Sequence, residues 1–412
     1  MRSPLNKRLF RELRGEFGKY LVIFILMTLT IGMVSGFLVA DGSMIQAYEE
    51  SFEKYNIENG HFRTEKKMNN AQIQDIEHLG IKLYENYYVE EALTNGSTMR
   101  IFKNRDEVNK VCLMKGKMPE KPGEIGIDRM YADNNDLSVG DEIESGGYTW
   151  KITGLVALSD YSALFSNNND SMFDSVKFGV SVVCPEEFDS YKADQLNYSY
   201  AWKYNTEPKN EKAEKDISED LMEDVAKEVT LEEFVPRYTN QAIIFTGDDM
   251  GGDRSMMIVL LYIIIVIMAF VFAITTSNTI RKEANVIGTL RASGYTRGEL
   301  IRHYMAAPVF VTFIGAIIGN IIGYTVGKDY CAGLYYGSYS LPTYKTIWNA
   351  EAFVLTTVVP VIIMFAVNYA ILHQKLKLSP LKFLRRDLSA KKQKRALYLS
   401  PKLKIFSRFR LR

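Results

Sequence analysis

Four long runs without a charged side chain constrain this chain more than any other feature. They are Tyr20–Ala40, Ser255–Ile280, Tyr304–Gly327 and Ala352–Leu372, of 21, 26, 24 and 21 residues. About 20 apolar residues in a helix suffice to cross the hydrocarbon core of a bilayer. The averages conceal this pattern, because 47% hydrophobic and 24% charged residues with net charge +1 would suit a soluble protein. A cytosolic enzyme and an intrinsically disordered chain are both excluded. The expected fold is an α-helical membrane protein with four transmembrane helices and an α+β extracytoplasmic domain between helices 1 and 2.

The near-zero net charge hides a sharp segregation. Residues 1–19, 281–303 and 373–412 together carry 25 Lys and Arg against 5 Asp and Glu. Residues 41–254 carry 23 against 42, a net charge of −19, and residues 328–351 balance at two of each. Basic loops stay in the cytoplasm, so the pattern places both termini and the middle loop inside. The acidic segment is then outside. The resulting plan is a cytoplasmic amphipathic helix (1–19), span 1 (20–40), an extracytoplasmic domain with helical stalks (41–254) and span 2 (255–280). A cytoplasmic loop (281–303), span 3 (304–327), an external loop (328–351), span 4 (352–372) and a basic cytoplasmic tail (373–412) complete it. The run in span 1 exceeds the 7–15 residues of a signal-peptide core, and no clear small-x-small cleavage site follows it.

At the N-terminus, Leu5, Leu9, Leu13 and Phe17 recur every fourth residue among Lys7, Arg8, Arg11 and Arg14. This fits a helix lying on the inner leaflet or a plain basic flank. Beyond span 1, Asp41–Tyr55 has a helical composition and is expected to continue the membrane helix. In the external domain, Glu124–Asp128 and Tyr148–Val156 read as strands, with a turn at Val139–Asp141. Asn167–Asp170 reads as an exposed loop. Residues 209–233 read as one amphipathic helix, with Ile217, Leu221, Val225 and Val229 spaced by four.

No chemistry of bond-making stands out. Cys112 and Cys184 are both external and open to pairing, Cys331 lies near the outer end of span 3, and three cysteines make no framework. His61, His78, His303 and His373 lack metal-ligand spacing, and Asp133–Asp136 lacks the spacing and glycine of an EF-hand. There is no G-x-S-x-G elbow and no G-x-x-x-x-G-K-[ST]; Gly327-Lys328 is followed by Asp329. The spans carry no charge, which removes the case for a proton relay or ion coupling. Asn278, Asn320 and Asn368 are their polar exceptions and are expected to join helices. Pro308 and Pro360 are expected to kink spans 3 and 4. Gly315, Gly319, Gly323 and Gly327 clear one face of span 3 for close packing, against a span of this chain or of a partner, the former preferred.

The middle loop, Arg281–Leu300, reads as two short helices broken at Gly294, with Thr296 capping the second. Its Ile-Gly-Thr-Leu-Arg-Ala-x-Gly-x-x-Arg core, Ile287–Arg297, resembles the signature of the FtsX-like/MacB-like permeases, the type VII ABC transporter permeases. Val286 stands where such loops commonly carry an acid. The order of one span, a large external domain and three spans is similar to that family. So are Gly116–Pro119, Pro122–Ile125, Leu137–Asp141 and Ile152–Val156, which look like its external core domain.

What the resemblance implies is the permease subunit of an ATP-driven dimeric machine, with a second permease copy or half. The chain itself holds no cofactor and is not an enzyme; ATP would bind a separate ABC ATPase subunit. Glu283, Gly288, Arg291, Gly294 and Arg297 are the expected coupling residues, with Gly294 making the turn and the arginines meeting the ATPase. Reversing the charge at Arg291 is expected to uncouple ATP hydrolysis. The work would be export or extraction of a peptide, lipoprotein or antibiotic, or mechanical signalling, at a bacterial plasma membrane. The alternative is a non-transporting sensor or scaffold acting on a cell-wall enzyme or signalling partner.

The acidic exterior disfavours nucleic acid and other anionic polymers and suits a cationic peptide or a cell-wall-associated ligand. The basic-aromatic tail Lys402–Arg412 resembles Lys7–Phe17. It fits either the start of a second unit in a duplicated permease or a tail on anionic membrane lipid.

Overall fold

The structure is a computed structural model that describes residues 14–386. The amphipathic stripe Leu5–Leu13 and the tail Lys402–Arg412 lie outside the described residues. The first elements in chain order are α1 (Phe17–Lys54), β1 (Gly60–Thr64), α2 (Asn70–Glu77), β2 (Ile81–Glu85), β3 (Tyr88–Ala92) and β4 (Thr98–Lys103). Then come β5 (Val111–Gly116), β6 (Glu124–Asp128), α3 (Arg129–Asn134), β7 (Glu142–Ser145), β8 (Tyr148–Leu158) and β9 (Phe178–Val183). These are followed by α4 (Pro185–Phe188), β10 (Tyr198–Tyr204), α5 (Glu211–Glu228), β11 (Leu231–Pro236) and α6 (Gln241–Lys282). The last are α7 (Ala284–Ala292), α8 (Arg297–Ser338), α9 (Ala350–Lys375) and α10 (Pro380–Leu384). Four helices, α1, α6, α8 and α9, are long and apolar enough to cross a membrane. An α/β domain lies between the first two, so the expected fold class holds.

The chain divides into two compact units. One takes the chain up to Leu29, Tyr262–Ile317 and the chain from Thr357 onward; the other takes Thr30–Leu261 and Ile318–Thr356.

The second unit holds two sheets. The smaller runs β11-β1-β10-β2, antiparallel throughout. The larger runs β3-β4-β9-β6-β8-β5 with β7 on β8, and mixes parallel β4/β9 and β6/β8 pairs with antiparallel ones. Every residue of β9 is buried, as are all but Lys151 from Trp150 onward in β8, so both strands are apolar at most positions instead of alternating. In the smaller sheet Phe62, Trp202 and Phe234 stack with centroids 4.8 to 6.4 Å apart, an arrangement that adds to plain area burial.

Several expectations need correction here. Helix α5 is shorter than 209–233, ending at Glu228, and Leu231–Pro236 is a strand. Leu221 and Val225 are buried, but Ile217 is exposed. A strict spacing of four drifts about 40° per step around a helix of 3.6 residues per turn, so a row of four cannot stay on one face. Ser218 takes the inner position instead and meets the Tyr238 hydroxyl at 2.9 Å. Cys112 and Cys184 are free and buried. They sit on β5 and at the end of β9, three strand spacings apart in the sheet order, roughly 14 Å and too far for a disulfide.

The loop between spans 3 and 4 is more than a connection. Helix α8 continues to Ser338, and the following segment docks on the α/β domain. Ser340 N–H donates to Ser162 O (2.8 Å), and Arg129 donates to Tyr339 O (2.7 Å). The Tyr339 hydroxyl donates to Asp249 Oδ2 at 2.5 Å, and the Ser340 hydroxyl donates to Asp128 Oδ2. Asp128 also caps α3, its Oδ1 accepting from the amides of Met130 (2.8 Å) and Tyr131 (3.2 Å).

Burial raises the Asp128 carboxyl from its ordinary 3.8 to about 6, against the opposing pull of Ser340 and these amides. The folded state therefore binds more protons than the unfolded state between those values. This contribution is complete below the lower value and is lost as pH rises through the upper. Asp128→Asn keeps the cap without the charge. It is expected to gain on the native protein by on the order of 2 kcal/mol as pH rises from about 4 to about 7. Melting curves of both proteins at the two pH values check this; a constant difference would show that Asp128 does not titrate in that window.

Candidate coupling loop

The loop between spans 2 and 3 belongs to the first unit. Span 2 ends at Lys282, and α7 follows after Glu283. One buried cluster holds it, comprising Ile280, Ala284, Ile287, Leu300, Ile301, Tyr304, Met305, Leu372, Leu376 and Phe383.

Helix α7 stops at a left-handed residue. Gly294 has φ +99, Tyr295 N–H donates to Leu290 O (3.1 Å) and Gly294 N–H to Arg291 O (3.3 Å). This is the Schellman arrangement, whose central position favours glycine because it has no Cβ. Thr296 then opens α8. Its N–H and hydroxyl donate to Glu299 Oε2 (2.8 and 2.9 Å), and Glu299 N–H donates back to the Thr296 hydroxyl (3.3 Å), a capping box. The second helix is not short, since it runs without interruption into span 3.

The arginines turn inward. Arg291 donates to Leu376 O and Arg297 to His373 O, each at 3.2 Å. These carbonyls belong to the last turn and cap of α9, where backbone acceptors lack helical partners and the dipole favours cations. Glu283 accepts from the Tyr304 hydroxyl at 2.5 Å. Gly288 faces α10; a Cβ there would stand 2.9 Å from Leu384 Cγ and 3.1 Å from its backbone nitrogen. The structure thus brings Glu283, Gly288, Arg291 and Arg297 into internal contacts, while Gly294 lies at the exposed turn. The exposed face of α7 and its C-cap is formed by Asn285, Val286, Thr289, Ala292 and Ser293. Their spacing along the helix is the sequence signal for this face.

The glycine face of span 3 packs on span 1 of the same chain. A Cβ on Gly315 would meet Met27 Cβ at 3.4 Å, and one on Gly32 would meet Gly319 O at 3.3 Å. Gly323 faces Ser35, Gly32 and Gly36, and a Cβ on Gly36 would stand 2.7 Å from the carbonyl carbon of Gly327. Small residues allow this separation between backbones. The stretch Gly323–Gly327 is a π-turn, as is Val354–Val358 just before Pro360. Pro308 lies inside the continuous helix. Asn320 accepts from Thr356 (2.8 Å) and Asn368 from Thr276 (3.2 Å), joining helices as expected. Asn278 does not; it is exposed, two residues and hence about 200° around α6 from Thr276.

Among the described residues no group of three or more His, Cys, Asp or Glu is placed to hold a metal ion. The molecule so far is a multi-span membrane protein with an α/β insertion after its first span and a rigid helix-turn-helix between its second and third. Residues 258–376 match the family model of the FtsX-like permease C-terminal domain. The match takes in the helix-turn-helix and spans 3 and 4, less than half of the chain, and it is to that domain that this segment is similar. No curated protein matches the sequence. Among solved structures it is similar to the periplasmic region of MacB from Actinobacillus actinomycetemcomitans. That similarity has 11% identity and a TM-score of 0.25, covering 41% of this chain and 85% of that one.

Proposed function

We propose that this chain couples ATP hydrolysis on a separate ATPase subunit to motion of its extracytoplasmic domain. The observation that supports this most is that the family match spans the whole helix-turn-helix and spans 3 and 4. A compact, capped knob with a polar outer face is suited to seat in a partner's surface. It lacks the depth to host a reaction. The docking residues in this reading are Asn285, Val286, Thr289 and Ser293, while Arg291 and Arg297 hold the knob to the end of span 4.

Helices α1 and α6 each contribute residues to both units, so movement of the knob has a covalent route to the external domain. The cargo in this reading is a peptide, lipoprotein or antibiotic, or else the output is mechanical. ATP is bound by the partner, the assembly includes a second permease copy or half, and the setting is a bacterial plasma membrane with both termini cytoplasmic.

The test is purification of the detergent-solubilised chain with its co-purifying proteins, followed by an ATP hydrolysis assay. A stoichiometric ATPase with activity is the expected result. Recovery of the chain alone would withdraw the coupling assignment.

A further inference from the structure

Where spans 1, 2 and 3 approach the α/β domain, they meet at a buried acid that the coupling reading does not use. Asp41 is the first residue past the uncharged run of span 1, and its helix continues beyond it to Lys54. The residue has no accessible surface. Its neighbours Ala40 and Met44 belong to an apolar cluster drawn from three helices, which also takes in Met250 of α6 and Cys331, Ala332 and Tyr335 of α8. All of these residues lie in one of the two compact units.

Only one oxygen of this carboxyl is met. Oδ1 accepts from the Tyr335 hydroxyl at 3.2 Å, while Oδ2 is buried without a hydrogen bond. Arg254 of α6 is the cation whose field reaches Asp41, but it donates to Glu351 at the start of α9. The other titratable groups around the site are acidic or neutral. They are Asp249 and Asp253 on α6 and Tyr335 and Cys331 on α8. Asp249 already accepts from the Tyr339 hydroxyl.

A carboxylate held away from water, with one donor and no ion pair, is costly, and such a group neutralises instead. A proton on Oδ2 removes the charge and leaves Oδ1 free to accept from Tyr335. Burial raises the Asp41 carboxyl from its ordinary 3.8 to about 7, against the pull of the Tyr335 hydroxyl and Arg254. The folded state therefore binds more protons than the unfolded state between those values. The stability this confers is complete below the lower value and is lost as pH rises through the upper.

We propose that Asp41 is a proton-binding site whose bound proton keeps α1 joined to α8, so that loss of the proton loosens the junction of spans 1, 2 and 3 beside the α/β domain. The assignment does not rest on the coupling reading, because it is measured on the chain without an ATPase.

The first test is infrared difference spectroscopy of the full chain in an ester-free detergent at about pH 6, where an ordinary aspartate is ionised. The native spectrum minus that of Asp41→Asn is expected to show the carbonyl band of a protonated carboxylic acid. Asp128 is common to both proteins and cancels. Asp253→Asn is expected to keep the band. Tyr335→Phe removes a donor that favours the charged form, so in that variant the band is expected to persist to higher pH. The second test is the melting temperature from about pH 5 to about pH 8, over which the native protein is expected to fall progressively below Asp41→Asn. A difference spectrum without the band overturns the proposal. So does a constant gap between the two melting profiles, or loss of the same band in Asp253→Asn. Should Asp41→Asn not fold, the native and Tyr335→Phe proteins decide the matter, and a band that vanishes at the same pH in both overturns it.

Discussion

Gly36→Val is expected to lower the stability of the detergent-solubilised protein by about 3 kcal/mol or more, the upper end of what overpacking costs. The reason is the nature of the obstacle. A Cβ on Gly36 would stand 2.7 Å from the carbonyl carbon of Gly327, 2.9 Å from its Cα and 3.0 Å from the next nitrogen, all backbone atoms. A side chain can rotate away from an intruding methyl, but a helix backbone can only be displaced with its whole helix. The contact between α1 and α8 through Gly32, Gly36, Gly323 and Gly327 would open as a unit. Gly333→Ala, also in α8, is the counter-experiment. Nothing lies within 4 Å of a Cβ there, so it is expected to be neutral or to stabilise by up to about 1 kcal/mol through helix propensity. Melting temperatures of the three proteins decide the matter, and equal losses at both positions would refute the close-packed face.

Thr289→Trp is expected to release the proposed ATPase subunit while leaving the chain folded. Thr289 is exposed near the middle of the outer face of α7, and its hydroxyl does no more than donate to Asn285 O one turn back. An indole there disturbs nothing inside this chain but occupies the space in which a partner would seat. Blocking a hot-spot contact at the centre of an interface costs about 2 kcal/mol or more, so co-purification and stimulated ATP turnover are expected to fall about tenfold or more. Arg291→Glu is expected to behave differently. It replaces a donor to Leu376 O with a carboxylate facing a carbonyl, and lowers the melting temperature before it affects docking. The opposite pattern, an inert Thr289→Trp with a stable but uncoupled Arg291→Glu, would return the docking role to the arginines.

The arginines show where sequence reading stops. Arg291 and Arg297 lie in a short basic loop, and composition alone makes them surface charges ready for a partner. The carbonyls that they meet belong to residues 373 and 376, some 80 positions away. No local pattern encodes that distance. The same holds for Tyr339 and Ser340, which read as a balanced external loop and are held by Arg129 and Asp128. It holds again for His61, Arg63 and Glu90 on β1 and β3, whose spacing along the chain gives no sign of the residues across from them. Only the fold brings them to the lining of one cavity.

What this sequence determined by itself was what depends on neighbours along the chain. The four spans follow from runs of about 20 apolar residues, because a helix in lipid satisfies its own backbone. The break at Gly294 follows from the φ +99 that glycine adopts without strain, and the start of α8 from Thr296 and Glu299 three residues apart. Strands β6 and β8 follow from short β-rich runs between turns. The tertiary structure decided what depends on partners distant in sequence: that the glycine face of span 3 meets span 1, that two arginines close the end of span 4, and that charged residues of β1 and β3 line one cavity. Periodicity and composition report the kind of environment a side chain requires, and a requirement for burial, a cation or a close backbone can be met by many partners. Which one meets it is settled only when the whole chain has packed.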